Sequence, residues 1–437
     1  MTRVGVVGGG ITGLAATHYL AERGVDVVCF EADGQPGGVV RSERVDDSLV
    51  EWGPQRVRRT PAIARLVEDL GLHEELLEAD GDLPLYVYAD GELGEVPRSP
   101  AACLRTDLLS WRGKLRLLAE PLTAPIEPDE SAADAFRRKF GAEAYRNAIE
   151  PLFGGIYGSD PAAMPAAYAL ERLMALEDRR GSLLWAAVER LSGDEDVPPP
   201  VSFADGLQTL PRALYREHES DVHLDEGVDR VLDADDGDSY VISTADRSVG
   251  VDRLVVTAPA PVTAGILDGL ADATVAPLAD LTYNPLTLVS LEAALDADGF
   301  GYQVRRDESL ETLGVTWNDS LFDREGVYTA FLGGMHDPGV VDQSDAELGA
   351  VAAEEFEAVT GASATVRAVR TLPRALPAYD TSWHALEDVA LPEGIDLATN
   401  YTGRLGVPSR LRDARGVAEE LQYAAGGSAA SPEPADR

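Results

Sequence analysis

The sequence predicts a mixed fold, α/β plus α+β, in which a strand–helix–strand unit opens the chain, a helical stretch follows, and the second half builds an antiparallel sheet. Three observations predict it. An apolar strand, Arg3–Val7, runs into a glycine-rich turn and then into helical spacing of Ile11, Leu14, Ala15 and Leu20 over Ile11–Glu22. Residues 101–195 read as mostly helical. Four short apolar runs, Leu286–Leu295, Gly299–Val304, Leu313–Trp317 and Val327–Leu332, follow one another as strand candidates.

Taken in order, Val25–Glu31 completes the first strand–helix–strand unit. Pro61–Leu70 reads as a helix closed by Gly71, and Leu85–Val96 as a hairpin turning at Asp90-Gly91. Within the helical stretch, Asp129-Glu130 cap a run through Phe136 and Phe140. Gly193–Pro200, with three prolines, reads as a loop or linker. Val222–Asp233, Tyr240–Ser243 and Arg253–Thr257 are further strands, Ala346–Val359 is a helix, and Ile395–Thr399 is a last buried strand. A loop and a helix at Asp413–Tyr423 follow, and the Gly/Ser/Pro-rich tail, 426–437, is expected to be disordered. A chain of 437 residues implies two or three domains.

Composition excludes several functions. Asp and Glu number 76 against 37 Lys and Arg, a net charge of −39, and the only lysines are Lys114 and Lys139. No basic footprint for nucleic acid is visible. Such a surface self-repels in dilute buffer but is tolerable when molar salt shortens the screening length to about 3 Å. A high-salt cell interior is therefore expected. Cys29 and Cys103 belong to no C-x-x-C pair, so neither a zinc site nor a disulfide framework is expected. No apolar run reaches the roughly 18 residues of a spanning helix, and no signal-peptide pattern opens the chain.

The chemistry-bearing motif is Gly8-Gly9-Gly10-Ile11-Thr12-Gly13 directly after the first strand. Its glycines permit a tight turn and close approach to a pyrophosphate, and the helix start supplies amide donors. Glu31 ends the second strand, 18 residues after Gly13, where a carboxylate accepts the adenosine ribose hydroxyls and repels a 2′-phosphate. Ala32 follows it. Downstream, Gly37-Gly38-Val39-Val40-Arg41-Ser42 and Glu51-Trp52-Gly53-Pro54 resemble the paired turns of the glutathione-reductase-like flavoproteins. This resemblance implies FAD, bound non-covalently, with Gly38, Val39 and Arg41 near phosphate and Gly53, Pro54, Gln55 and Arg56 near the isoalloxazine.

Later motifs narrow the resemblance. Leu85–Pro97, Asp129–Gly141, Glu150–Pro161, Ser202–Leu214, Tyr283–Leu291, Gly299–Val304, Phe331–Pro338, Leu376–Tyr379 and Asn400–Pro408 occur in the order found in the protoporphyrinogen/coproporphyrinogen oxidase family, within the amine-oxidase-like flavoproteins. The resemblance implies a Rossmann-like FAD-binding domain, discontinuous over 1–75, 200–265 and 380–425. It implies a substrate domain with the antiparallel sheet over 76–100 and 266–379, and a helical, membrane-associating subdomain over 101–199. It places Val228 by the adenine and Leu405, Gly406 and Val407 against the flavin. Gly155 would lie beside the substrate, Phe300 and Phe331 would sandwich it, and Arg98, with Arg105 second, would meet a propionate. Gln303 departs from the family, which carries an aliphatic residue there.

The implied reaction is oxidation of a porphyrinogen, protoporphyrinogen IX or alternatively coproporphyrinogen III, with oxygen or another acceptor reoxidising the flavin. No nucleophile–base pair is found among the six scattered histidines; His336 and His384 lie nearest the expected site, and no catalytic side chain is assigned. Rival readings are an amine oxidase, whose flavin-side lysine is missing because both lysines fall in the helical stretch, a carotenoid desaturase, and a flavin-binding porphyrin carrier without catalysis. Leu108, Leu109, Trp111, Leu115, Leu117 and Leu118 with Arg112, Lys114 and Arg116 form either a surface segment for a membrane or a core-facing helix. The expected location is cytoplasmic, with peripheral contact at the inner face of the membrane.

Overall fold

The computed structural model describes residues 2–192, 197–234, 239–270 and 274–426. Five parallel strands form the first sheet, in the order Val222–His223, Asp26–Phe30, Arg3–Val7, Arg253–Val256 and Ile395–Leu397. Both faces of this sheet are covered, the second by Val231, Ile242 and Val251 of a small antiparallel sheet and by the helix Ala260–Leu267, which is why its residues are almost continuously apolar. One face is closed by the helix Ile11–Glu22, buried from Ile11 through Leu20, and by the C-terminal helix Val407–Gly426. These two helices run parallel: Arg23 just past the end of one meets Glu419 of the other at 3.4 Å, and both lie equally far from their helix starts. The two N-termini therefore sit at the same level, at the carboxyl end of the sheet.

The second large sheet has seven strands, in the order Ala364–Pro377, Tyr283–Ala293, Val327–Gly333, Thr312–Trp317, Gly301–Val304, Leu85–Ala89 and Glu92–Glu95. Every pairing is antiparallel except Gly301–Val304 with Leu85–Ala89. One face carries Val289, Tyr302, Val315 and Ala330 against Leu348, Ala352 and Phe356 of the helix Asp345–Thr360. The opposite face carries the row Gln303, Gly314, Phe331, Leu288 and Arg370, in register across five strands' worth of pairing. Alternation along a strand puts these residues on the side away from that helix.

Several boundaries differ from the sequence reading. Val222–Asp233 is two strands, broken where Asp225 turns left-handed at φ 55°. Its second part, Val228–Asp233, joins Tyr240–Thr244 and Ser248–Val251 in a separate antiparallel sheet. The C-terminal helix begins at Val407, not Asp413, because Pro408 is compatible with a first helical turn. Pro200 is not linker; it starts the strand Pro200–Phe203, which pairs with Val57–Arg58 and Leu76–Glu78. Of the expected linker, 197–199 are irregular as read and 193–196 fall outside the described residues; of the expected disordered tail, Gly426 ends the last helix and 427–437 fall outside the described residues.

The stretch 100–192 is helical as read. Its core gathers Phe136, Tyr145, Met164 and Leu170 with Tyr379 and Trp383. Lys139, 1% exposed, sits between the buried carboxylates of Glu120, at 3.3 Å, and Glu177. The segment read as one amphipathic surface is split. Leu108 and Leu109 are buried, and Arg116 is turned inward onto the carbonyls of Arg138 and Lys139, whereas Trp111, Leu115, Leu118 and Leu122 are exposed. Among the described residues no helix is long and apolar enough to cross a membrane.

Candidate active site

The glycine loop is built by exclusion. Gly8 has φ 103°, and its amide donates to the Phe30 carbonyl at 2.8 Å. A Cβ on Gly13 would stand 1.8 Å from the Gly8 carbonyl oxygen, and one on Gly9 would meet Glu31 Cβ at 2.7 Å. A Cβ on Gly10 would meet nothing within 4 Å, so that glycine opens onto free space. Gly10 caps the helix with no side-chain acceptor for its first amides. The N–H groups of Ile11, Thr12 and Gly13 are left for an acceptor from outside.

Glu31 stands over this loop. Its carboxylate accepts from the Gly9 amide at 2.5 Å and the Asp33 amide at 2.8 Å. Gly227, next to Val228, approaches Ala32 so closely that a Cβ there would lie 3.2 Å from Ala32 Cβ. Gly37 and Gly38, at φ 117° and 59°, fold the next turn back on the loop, and the Gly37 amide donates to the Gly9 carbonyl at 2.9 Å. Val39 protrudes, 53% exposed. Its carbonyl sits where a Cβ on Gly53 would be 1.9 Å away, so Gly53-Pro54 lies directly against it. Arg41 pairs with Asp33 at 2.7 Å. It also lines a recess of about 390 Å³ with Arg44, Arg212 and Arg370. Leu405 and Gly406, at φ 98°, lead into the C-terminal helix at Val407, level with the start of the first helix.

Two buried polar nodes fasten the turns to the large sheet. Glu51, 1% exposed, accepts from Ser42 Oγ at 2.5 Å, the Leu207 amide at 2.9 Å and Arg324 Nη2 at 3.1 Å. Burial pushes its carboxyl pKa up despite these donors, and burial pushes that of Arg324 down. Gln55 donates to the Glu51 and Gly53 carbonyls and accepts from Asn318 Nδ2 at 2.9 Å; Asn318 also reaches Thr329 Oγ1 at 3.1 Å. The sequence reading missed Arg324, Asn318 and the role of Glu51. Each takes at least one partner from far along the chain, and only the acidic position in Glu51-Trp52-Gly53-Pro54 gave a signal.

The substrate candidates are brought together only in part. Gln303 and Gly155 touch: a Cβ on Gly155 would stand 2.2 Å from Gln303 Oε1, and one on Gly314 3.0 Å from Gln303 Cδ. Phe331 is half-buried beside Gly314, with Leu288 and Trp52 in the same cluster. Phe300 presents no bare face. It is packed with Ala79, Leu321 and Phe322, and the guanidinia of Arg56 and Arg98 lie over its ring at 5.0 and 5.9 Å. Arg98 is exposed, and two of its nitrogens are taken by the carbonyls of Gly81 and Leu83. Arg105 is exposed and folds back on the Ala101 carbonyl. Neither arginine is therefore held toward the row of Gln303 and Phe331, because local carbonyls already take their donors. Arg56, expected near the isoalloxazine, lies over the Phe300 ring at 5.0 Å.

Neither histidine near the site forms an acid–base pair. His336 lies 3.9 Å from Asp160, and His384 meets the Thr381 carbonyl. His18, Glu22 and Asp69 bring ligating atoms within 4.8 Å of one another, but Arg65 stands 3.3 Å from Asp69 and 3.9 Å from Glu22 and already supplies their cation.

Comparison with known proteins extends over this whole arrangement. The family described as flavin containing amine oxidoreductase matches residues 11–421. A chloroplastic protoporphyrinogen oxidase of Oryza sativa subsp. japonica is 29% identical over 418 residues, 86% of this chain and 78% of that protein. Coproporphyrinogen III oxidase of Staphylococcus aureus is 26% identical over 420 residues, 86% of this chain and 88% of its own. A crystal structure from Exiguobacterium sp. 255-15, provisionally named a protoporphyrinogen oxidase, superposes with a TM-score of 0.81 at 24% identity, covering 96% of this chain and 98% of that one.

Proposed function

Because the chain belongs to the family of flavin-containing amine oxidoreductases and is an FAD-dependent oxidoreductase, we propose that it oxidises a porphyrinogen to the porphyrin, the late oxidation of haem synthesis. The observation that carries this reading is the extent of the likeness: relatives named for protoporphyrinogen and for coproporphyrinogen match most of the chain, not the glycine loop alone. Protoporphyrinogen IX is the substrate of the first reading. The second, coproporphyrinogen III, rests on the bacterial relatives named for it.

The residues present suit FAD. Gly10 opens where a side chain would close the cradle, and the unmet amides of Ile11, Thr12 and Gly13 would receive the pyrophosphate. Glu31, with its remaining lone pairs, would accept the ribose hydroxyls, Ala32 and Val228 would flank the adenine, and Gly38, Val39 and Arg41 would border the phosphates. Gly53, Pro54 and Gln55 on one side, and Leu405, Gly406 and Val407 on the other, would enclose the ring system. When bound, FAD supplies two-electron acceptance and reoxidation by oxygen or another acceptor.

This chain's own residues orient the substrate and exclude water. Gln303 and Gly155 form one wall, and Phe331 the floor beside Gly314. The division implied by the motifs is kept as part of the proposal: an FAD-binding domain over 1–75, 200–265 and 380–425, a substrate domain over 76–100 and 266–379, and a helical part over 101–199. Exposed Trp111, Leu115, Leu118, Leu122 and Trp185 favour peripheral membrane contact for that helical part.

Anaerobic mixing of the FAD-loaded protein with each porphyrinogen tests the reading. Bleaching of the flavin absorbance with one of them, and fluorescence of the porphyrin formed, is expected. Bleaching with neither removes porphyrinogen oxidation.

A further inference from the structure

Buried arginines in this chain come with carboxylates. Arg305, 3% exposed, is held by Asp90 at 2.5 Å and by Asp307 and Glu308, each at 2.7 Å. Arg324 has Glu51 at 3.1 Å, and Arg410 has Asp413. With 76 acidic residues against 37 basic ones, an arginine has little difficulty finding a partner. Arg56 has none: it makes no ion pair or hydrogen bond among the described residues, and only Phe300 lies beneath its guanidinium, at 5.0 Å. It keeps some solvent-accessible surface, yet the surrounding protein, with Arg58 adding repulsion, holds its pKa down to about 10. Half-buried and without a protein partner, it stands beside Phe300 and next in the chain to Gln55, which holds the Gly53 turn.

A half-buried guanidinium with no carboxylate beside it is open to an anionic partner from outside the protein. Its backbone is fixed. Gln55 anchors the preceding residue through Glu51, Gly53 and Asn318, and Val57 is paired with Val201. The aromatic ring below attracts the guanidinium, whose carbon stands 5.0 Å from the ring centroid.

We propose that Arg56 binds a carboxylate of the substrate, two of its N–H groups meeting the two carboxylate oxygens, with the Phe300 ring beneath the guanidinium and Arg98 adding positive potential over the same ring. Arg56 then sets the orientation in which an acid-bearing macrocycle enters, and selects acids over esters. This rests on the porphyrinogen reading above for the identity of the acid. The competing role, stabilising the reduced cofactor, would show itself in the flavin potential.

The test uses the FAD-loaded protein, Arg56→Leu and Arg56→Lys, with each porphyrinogen as the free acid and as its methyl ester. KM and kcat are measured. So are equilibrium binding of the corresponding porphyrin acid and ester, the flavin midpoint potential and the melting temperature. The preference of the wild type for acid over ester should fall about 10- to 100-fold in Arg56→Leu, as loss of a charged hydrogen-bonded contact implies, and recover in part in Arg56→Lys. The change should lie in KM and in porphyrin binding. Melting should not fall, since no carboxylate is orphaned. An unchanged acid–ester ratio, or equal losses on both substrates with a shifted flavin potential, overturns the proposal and leaves the functional reading standing. A wild type that oxidises neither porphyrinogen overturns the functional reading instead; porphyrin binding, which needs no turnover, then still decides on Arg56 by whether the substitution abolishes the preference for the acid.

Discussion

Replacing Glu51 by Gln should destabilise the protein more than its shape change suggests. The amide is isosteric and can keep its oxygen toward the Leu207 amide and Arg324, both of which meet the same carboxylate oxygen. What disappears is the charge. Arg324, 8% exposed, then remains ionised, with Nε and Nη1 already lacking partners among the described residues. Isolating one member of a buried pair costs about 3–5 kcal/mol. At about 2.1 cal/mol/K per residue, 437 residues unfolding together lose about 0.9 kcal/mol per degree, so the melting temperature should fall by about 3–6 °C. Arg324→Met isolates Glu51 instead. Burial already raises the pKa of that carboxyl above its ordinary value. For a group whose folded pKa is raised, the stability it contributes is full below the unfolded value and is lost as pH rises through the folded one. The Arg324→Met loss should therefore shrink as pH is lowered from neutrality toward the carboxylate range, where Glu51 becomes neutral. The double variant, with both charges gone, should recover most of either loss. Scanning calorimetry in molar salt at pH 7.5 and 5.5 reads all three. An unshifted Glu51→Gln, or losses that simply add in the double variant, would refute the reasoning.

Gly13→Ala should express but lose FAD, because its Cβ would stand 1.8 Å from the Gly8 carbonyl and the helix start must move; a full flavin-to-protein absorbance ratio after purification would contradict the loop's role. Gln303→Leu should fold with less than about 1.5 kcal/mol of change, being close in volume, and should alter KM rather than flavin content; unchanged KM for both porphyrinogens would remove Gln303 from the site. The charge of −39 should make melting strongly salt-dependent, rising steadily from about 0.1 M to molar KCl as screening shortens, and a flat curve would sever the acidic composition from a high-salt habitat.

The parts legible in the sequence are those fixed by neighbours in the chain. The hairpin turn at Asp90-Gly91 is one: both residues take positive φ, 54° and 85°, which that pair tolerates. The glycine loop is another, since strand, turn, helix and the acid at Glu31 lie within one short stretch. The edge strand Ala364–Pro377 was missed. Arg367, Arg370, Arg374 and Pro373 interrupt its alternation, and an edge strand with one partner tolerates them. The hairpin of Ser42–Val45 and Ser48–Glu51 was missed because polar residues on its open side mask the period. In the site, the motif around Arg56 carries no sign of the ring that its guanidinium meets. Its partner is a phenylalanine more than two hundred residues away, which no local pattern carries.

Gln303 shows why a departure from a family pattern can be read only with its surroundings. An amide beside a hydrophobic ligand would be an expense if it stood free. Here Gly155 from the helix Glu150–Tyr157 and Gly314 from the strand Thr312–Trp317 both lack the Cβ that would collide with it. Two glycines from different elements thus shape one slot, and the slot fits the side chain that departs from the pattern. The exchange is a local repacking and leaves the row through Gly314, Phe331 and Leu288 in register.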